Sequence, residues 1–329
     1  MINFKASLPI KAGIVGTGFA AKLRAETLQS DPRSHLIAIS GHTAETSQEF
    51  AHKYEAVAVE SWQQLVEHPE LDLVIISTIN RDHGAIAHGA LNANKHVIVE
   101  YPLSLDPAEA ESLIALAEAK GKILHVEHIE ILGGLHQALR QSLAEIGNVF
   151  YARYVTIFQQ RPAPKRWTYN HQQFGFPFSG AVSRIHRFTD LFGKVASVSC
   201  QSQFWEDGDY YTSCLCTAQL RFVNGIIAEV TYGKGEVFWQ NLRNFEVHGD
   251  QGTLLFEGEK GSLIRGEEKT AIEVGGRRGL FAKDTEMVLD YLVEGTPLYV
   301  SAEASCYALK VADAARQAAE TGKVVNLIG

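Results

Sequence analysis

The chain has 329 residues, which points to two domains at the usual roughly 100 to 200 residues each. Hydrophobic residues make up 46% and charged residues 21%, and no apolar run approaches the roughly 18 residues of a membrane span, so neither a membrane-spanning nor a disordered protein is expected. The formal net charge of −8 argues against nucleic acid as a partner, because sequence-independent binding needs Lys and Arg to neutralise phosphates.

Met1 to Ile10 hold a few apolar side chains but no long hydrophobic region or small-residue cleavage site, which reads as a cytoplasmic protein. Ala12-Gly13-Ile14-Val15 reads as a short strand, followed by Gly16-Thr17-Gly18-Phe19-Ala20-Ala21 and a helix over Lys22 to Gln29. Strand, Gly-x-Gly-x-x-Ala and helix in that order form a dinucleotide fingerprint. Gly16 permits the tight turn, Gly18 admits the pyrophosphate, Ala21 keeps helix and sheet close, and the helix N-terminus faces the phosphates. The next strand, His35 to Ile39, ends in Ser40-Gly41-His42-Thr43 without the Asp or Glu that would bind both ribose hydroxyls of NAD. Ser40, His42 and Thr43 can serve a 2′-phosphate instead, so NADP is expected over NAD; as a plain turn, the same segment would admit either.

Strand Leu73 to Ile76 leads into Ser77, Thr78, Asn80 and His83, expected to line the ligand crevice, and then a helix over Ala85 to Asn94. Lys95 to Val99 reads as a buried strand closed by Glu100-Tyr101-Pro102, which places Glu100 and Tyr101 beside the cofactor. A helix over Asp106 to Lys120, capped by Asp106, Pro107 and Gly121, and a strand over Lys122 to Val126 complete an α/β, doubly wound parallel sheet. From about Val149 the pattern alternates with period two, over Val149 to Thr156, Ser213 to Phe222, Ile226 to Tyr232 and Asn244 to His248, with a glycine turn and a further strand to Leu254. These strands predict an α+β domain with a large, mostly antiparallel open sheet. Between them lie an aromatic loop, Arg161 to Gly180, and a helix over Ala181 to Phe192. The expected division is 1–128 for the cofactor domain and 129–329 for a substrate or oligomerisation domain, with the oligomeric state left open. Cys200, Cys214, Cys216 and Cys306 lack zinc-site spacing and read as reduced structural thiols, with no metal expected.

Three ordered motifs carry a resemblance over essentially the whole chain: Val99 to Leu105, Gly121 to Glu130, and Phe174-Gly175-Phe176-Pro177-Phe178-Ser179-Gly180-Ala181-Val182-Ser183-Arg184. The chain resembles the glucose-fructose oxidoreductase and inositol dehydrogenase family, and within it the branch that reduces open-chain tetrapyrroles. Sugar-oxidising members carry a lysine where Tyr101 stands and an Asp-x-x-x-His pair where the register gives Ser183 and Arg187. With those bases absent, oxidation of a carbinol is disfavoured, since it needs a base within hydrogen-bond reach of the leaving proton.

The resemblance implies NADPH-dependent reduction of biliverdin to bilirubin, with hydride passing to the central methine carbon and a proton to a pyrrole nitrogen. A flat, doubly carboxylated substrate calls for aromatic walls and cations. Trp167, Phe174 and Phe176 are the candidate walls, with Ser183, Arg187 and Glu127 as further substrate contacts. Arg161, Lys165 and Arg166 are additional candidate cations. Arg184 is the first candidate for catalysis and Tyr101 the second; a guanidinium is a poor acid, so orientation of the tetrapyrrole is the simpler role for Arg184. The alternatives are another reductase of the same family or a non-catalytic NADP-binding sensor.

Overall fold

The computed structural model describes residues 8–327, so the reading of residues 1–7 lies outside the described residues. The chain divides into two compact units. The first runs to Ile129 and regains Gly279–Cys306; the second comprises Glu130–Arg278 and the chain from Tyr307 onward. A single cut therefore misplaces Gly279–Cys306, and the reason lies in packing. Val288, Leu289 and Leu292 of the helix Leu280–Glu294 share one hydrophobic core with Ile10, Ile14, Ala21, Ala25, Leu28, Leu73 and Ile98.

In the first unit, strands β1 (Ile10–Val15), β2 (Ser34–Ser40), β3 (Val57–Ala58), β4 (Leu73–Ile76), β5 (His96–Val99) and β6 (Leu124–Val126) form a parallel sheet in the order β3-β2-β1-β4-β5-β6. β4 and β5 are buried throughout, and β4 with residues 97–99 of β5 reads as an apolar run, as expected of strands covered on both faces. The order reverses between β1 and β4, which makes the C-terminal edge of those strands the ligand-binding crevice of this architecture.

In the second unit, β7 (Val149–Gln159), β8 (Val195–Asp207), β9 (Tyr210–Phe222), β10 (Ile227–Gly235), β11 (Leu242–Gly249), β12 (Gly252–Glu257), β13 (Lys260–Arg265), β14 (Glu268–Ile272) and β15 (Val325–Asn326) form a sheet in the order β14-β13-β12-β11-β7-β10-β9-β8-β15. Among the described residues its pairings are antiparallel except β7 with β10. The expected helix begins at Ser183, not Ala181, because a separate turn of helix, Pro177–Gly180, precedes it. It runs to Phe192 and lies on one face of the sheet, with Phe188 against Phe245 at 5.2 Å between ring centroids. Among the described residues no helix is long and apolar enough to cross a membrane.

Candidate active site

The fingerprint has the backbone its glycines require. Gly16 adopts φ +121°, and a Cβ there would collide with the carbonyl of Ser77, so only glycine lets the β1 turn pass the end of β4. Gly18 caps the helix Phe19–Ser30 without a side-chain bond and has open space beside its α-carbon. Backbone N–H groups at that N-terminus are therefore available to an anion. Thr17 and Ala20 are half-buried, and the Phe19 ring stands 74% exposed. At the end of β2, Ser40 is buried while His42 and Thr43 are exposed, and Thr43 caps the helix Ala44–Lys53. A dinucleotide fits this cradle.

Beyond β4, Ser77, Asn80 and His83 are buried and Thr78 is half-buried. Both ring nitrogens of His83 meet backbone carbonyls, Nδ1 that of Pro102 at 2.8 Å and Nε2 that of Thr78 at 3.2 Å, so the imidazole ties the Glu100-Tyr101-Pro102 turn to the end of β4. Burial holds its pKa below the usual histidine value. Tyr101 is half-buried and stacks on His128 with 5.5 Å between centroids and 12° between planes. His128 Nε2 lies 2.7 Å from Ser305 Oγ.

Beneath this pair sits a buried charged cluster. Arg24, fully buried, donates to Asp284 and through Nε to Glu100 at 3.1 Å. Asp284 also accepts from the Tyr299 hydroxyl at 2.7 Å and lies 2.7 Å from His125 Nε2. Glu127, 2% exposed, accepts the Ile129 N–H. Burial, then the nearby Glu100 and Asp284, push its carboxyl well above the usual range, against the opposing pull of Arg24. One guanidinium among three carboxylates favours the protonated form of Glu127.

The second unit gathers a different chemistry on one sheet face. Register aligns Thr156 of β7 with Tyr232 of β10 and Arg243 of β11. The Arg184 guanidinium lies over the rings of Tyr232, at 5.2 Å, and Phe158, at 5.8 Å, and its Nη1 donates to Ser183 Oγ at 3.0 Å. Arg187, 1% exposed, pairs with Glu130, which also meets Arg277 and, at 3.6 Å, Arg243. Burial would raise the Glu130 carboxyl, but Arg187, Arg277, Arg184 and Arg243 hold it down at about 2. Burial would raise the Tyr154 phenol too, but Arg187, Arg184 and Arg243 bring it below its usual value. Trp167 and Phe176 are half-buried; Phe174 is 6% exposed, packed against Trp167 at 5.9 Å.

Sequence reasoning passed over Arg24, Asp284, Tyr299, Tyr154, Arg243 and Lys234. Two signals were present. Arg24 falls on the buried stripe of its helix with Ala21, Ala25 and Leu28, and Lys234 continues the inward alternation Ala228, Val230, Tyr232. Asp284 shares the signal of Arg24, on the buried stripe of its helix with Leu280, Val288 and Leu289, whereas Tyr299 lies outside the regular elements and had none.

Residues 10–128 match the family described as oxidoreductase family, NAD-binding Rossmann fold, and residues 140–327 its C-terminal alpha/beta domain. A crystal structure of biliverdin reductase from Synechocystis sp. PCC 6803, in complex with biliverdin and NADP+, is 58% identical, with a TM-score of 0.93 over 95% of this chain and 99% of that one. Mouse biliverdin reductase A is 26% identical over 85% of each chain. Levoglucosan dehydrogenase, at 18% identity and a TM-score of 0.83 over 97% of this chain and 98% of the other, shares the fold. With both domain descriptions matched in order, the chain belongs to the Gfo/Idh/MocA oxidoreductase family and is an NAD(P)H-dependent oxidoreductase.

Proposed function

We propose that this protein reduces biliverdin to bilirubin with NADPH. The observation that carries the reading is the 58% identity, over 95% of the chain, to a protein crystallised with biliverdin and NADP+. NADPH, when bound, supplies the hydride that adds to the central methine carbon of the bilin. The electron pair of the bridging double bond then moves toward a pyrrole nitrogen, which takes a proton.

The chain's own residues bind, orient and shield. Gly16 and Gly18 open the phosphate cradle, with Thr17, Phe19, Ala20, Ser77, Thr78, Asn80 and Glu100 around it. His83 fixes the turn that presents Tyr101. Ser40, His42 and Thr43 leave room for a 2′-phosphate where an acidic residue would repel it. Arg184, held by Ser183 over Tyr232 and Phe158, orients the lactam-pyrrole edge or a propionate through its planar fork. A guanidinium is a poor acid, which makes direct proton donation inefficient, so water carries the proton. Trp167 and Phe176 offer the flat walls, backed by Phe174; Arg187 adds charge.

The direct test is to mix protein, biliverdin and NADPH and follow the blue-green to yellow change. NADPH should give a higher kcat/KM than NADH, and equal efficiencies would remove the NADP preference. Arg184→Ala should lower kcat more than Tyr101→Phe does, because the second keeps the ring. Unchanged kcat in Arg184→Ala would take Arg184 out of the chemistry. No colour change from protein that binds NADPH would favour another reductase of the family or a non-catalytic sensor.

A further inference from the structure

Lys234 lies near the end of β10 and is 5% exposed. Its ammonium sits inside four aromatic rings, 4.0 Å from the centroid of Phe174, 4.5 Å from Tyr169, 5.2 Å from Tyr211 and 5.9 Å from Tyr232. It donates to the carbonyl of Thr168, which also accepts from the Tyr211 hydroxyl at 3.0 Å. Thr168 is the middle of the turn Trp167–Tyr169, and the helix His171–Phe174 follows directly. One cation thus ties the aromatic segment to the sheet face over which Arg184 lies.

Stability alone does not account for a lysine here. Burial pushes the amine down to about 8, with Arg166 and Arg184 acting in the same direction and the Cys214 and Cys216 thiols opposing. Desolvation therefore works against the charge, and a linear apolar side chain of similar length would relieve that cost. Such a residue would also leave no orphan, because Thr168 keeps its bond from Tyr211. A buried charge kept against the preference of its surroundings marks a functional position.

We propose that Lys234 is a positioning residue for substrate: it fixes the segment Trp167–Phe174 against the sheet and so sets the wall that holds a flat, conjugated dicarboxylate. The proposal rests on the bilin-reducing reading. Its test is steady-state kinetics of Lys234→Met, Lys234→Arg and Tyr211→Phe with biliverdin and NADPH, together with melting temperatures and hydrogen exchange of residues 165–175. In Lys234→Met, KM for biliverdin should rise roughly tenfold while kcat changes less than about threefold, the pattern of lost ground-state binding. Its melting temperature should not fall, and exchange in residues 165–175 should quicken. Lys234→Arg should recover part of the affinity. Tyr211→Phe, which removes the other donor to the same carbonyl, should move KM in the same direction by less, and decides the matter if Lys234→Met does not fold. A wild-type KM in these variants, or equal losses of kcat, NADPH affinity and melting temperature, would overturn the proposal alone. Wild-type protein that leaves biliverdin unreduced overturns the functional reading and this proposal with it.

Discussion

Glu127 and Glu130 stand three residues apart, are both largely shielded from water, and are driven in opposite directions. In the first unit, Glu127 joins Glu100 and Asp284 around the single guanidinium of Arg24, and its carboxyl is raised well above the usual range. In the second, Glu130 meets Arg187, Arg277 and Arg243 and stays ionised down to about pH 2. Burial is the largest influence on both and raises both. The outcome is decided by which charge is in excess. A carboxylate-rich cluster favours the protonated form of a buried acid, whereas a guanidinium-rich one favours the ionised form.

The sharpest way to break this contrast is to remove Arg24. Its loss leaves Asp284 and Glu100 without their cation in a buried site, and Arg24→Met should cost about 3 to 5 kcal/mol in denaturant unfolding. A loss below about 1 kcal/mol would mean that His125 and Tyr299 suffice for Asp284.

Glu130→Gln attacks the other side. It strips the carboxylate from the buried Arg187 and should cost about 2 to 4 kcal/mol at neutral pH, somewhat less than Arg24→Met because Arg277 is half in water. The folded pKa of Glu130 is depressed, so its contribution is complete above the unfolded value of about 4.3 and fades as pH falls toward about 2. The gap between wild type and Glu130→Gln should therefore close between about pH 5 and pH 2. A gap independent of pH would assign the effect to packing.

Glu127→Gln should have the smallest effect and the opposite sign. A glutamine imitates the protonated acid, so the variant should fold as well as the parent or better. The folded pKa of Glu127 is raised, so the folded chain retains a proton that the unfolded chain releases above about pH 4.3. Wild-type stability should then fall relative to Glu127→Gln as pH rises above about 4.3. A wild type that gains on the variant with rising pH would show Glu127 ionised and the cluster misread.

Much of the cofactor half could be read from the chain because its determinants are local. Gly16 needs its positive φ, Asp106 accepts the Ala108 N–H at 2.9 Å, and Gly121 ends the helix at φ +60°. Apolar runs such as Leu73–Ile76 announce a buried parallel strand whatever follows. The period-two strands of the second half were equally legible where one face is apolar. β8 escaped notice because polar residues occupy much of its length, and Gly279–Cys306 because nothing in that segment names its packing partner.

Sequence alone determined the two kinds of sheet, the glycine fingerprint, and the tyrosine and arginine at positions 101 and 184. Tertiary structure decided the electrostatics. Arg24 meets Asp284 across 260 positions, and Lys234 meets Thr168 across 66. A side chain's protonation depends on the sum of charges within a few ångströms, and that sum is assembled only when distant segments pack. The sequence sets Glu127 and Glu130 three residues apart, and the folded neighbourhood pushes the first carboxyl's pKa up and the second's down.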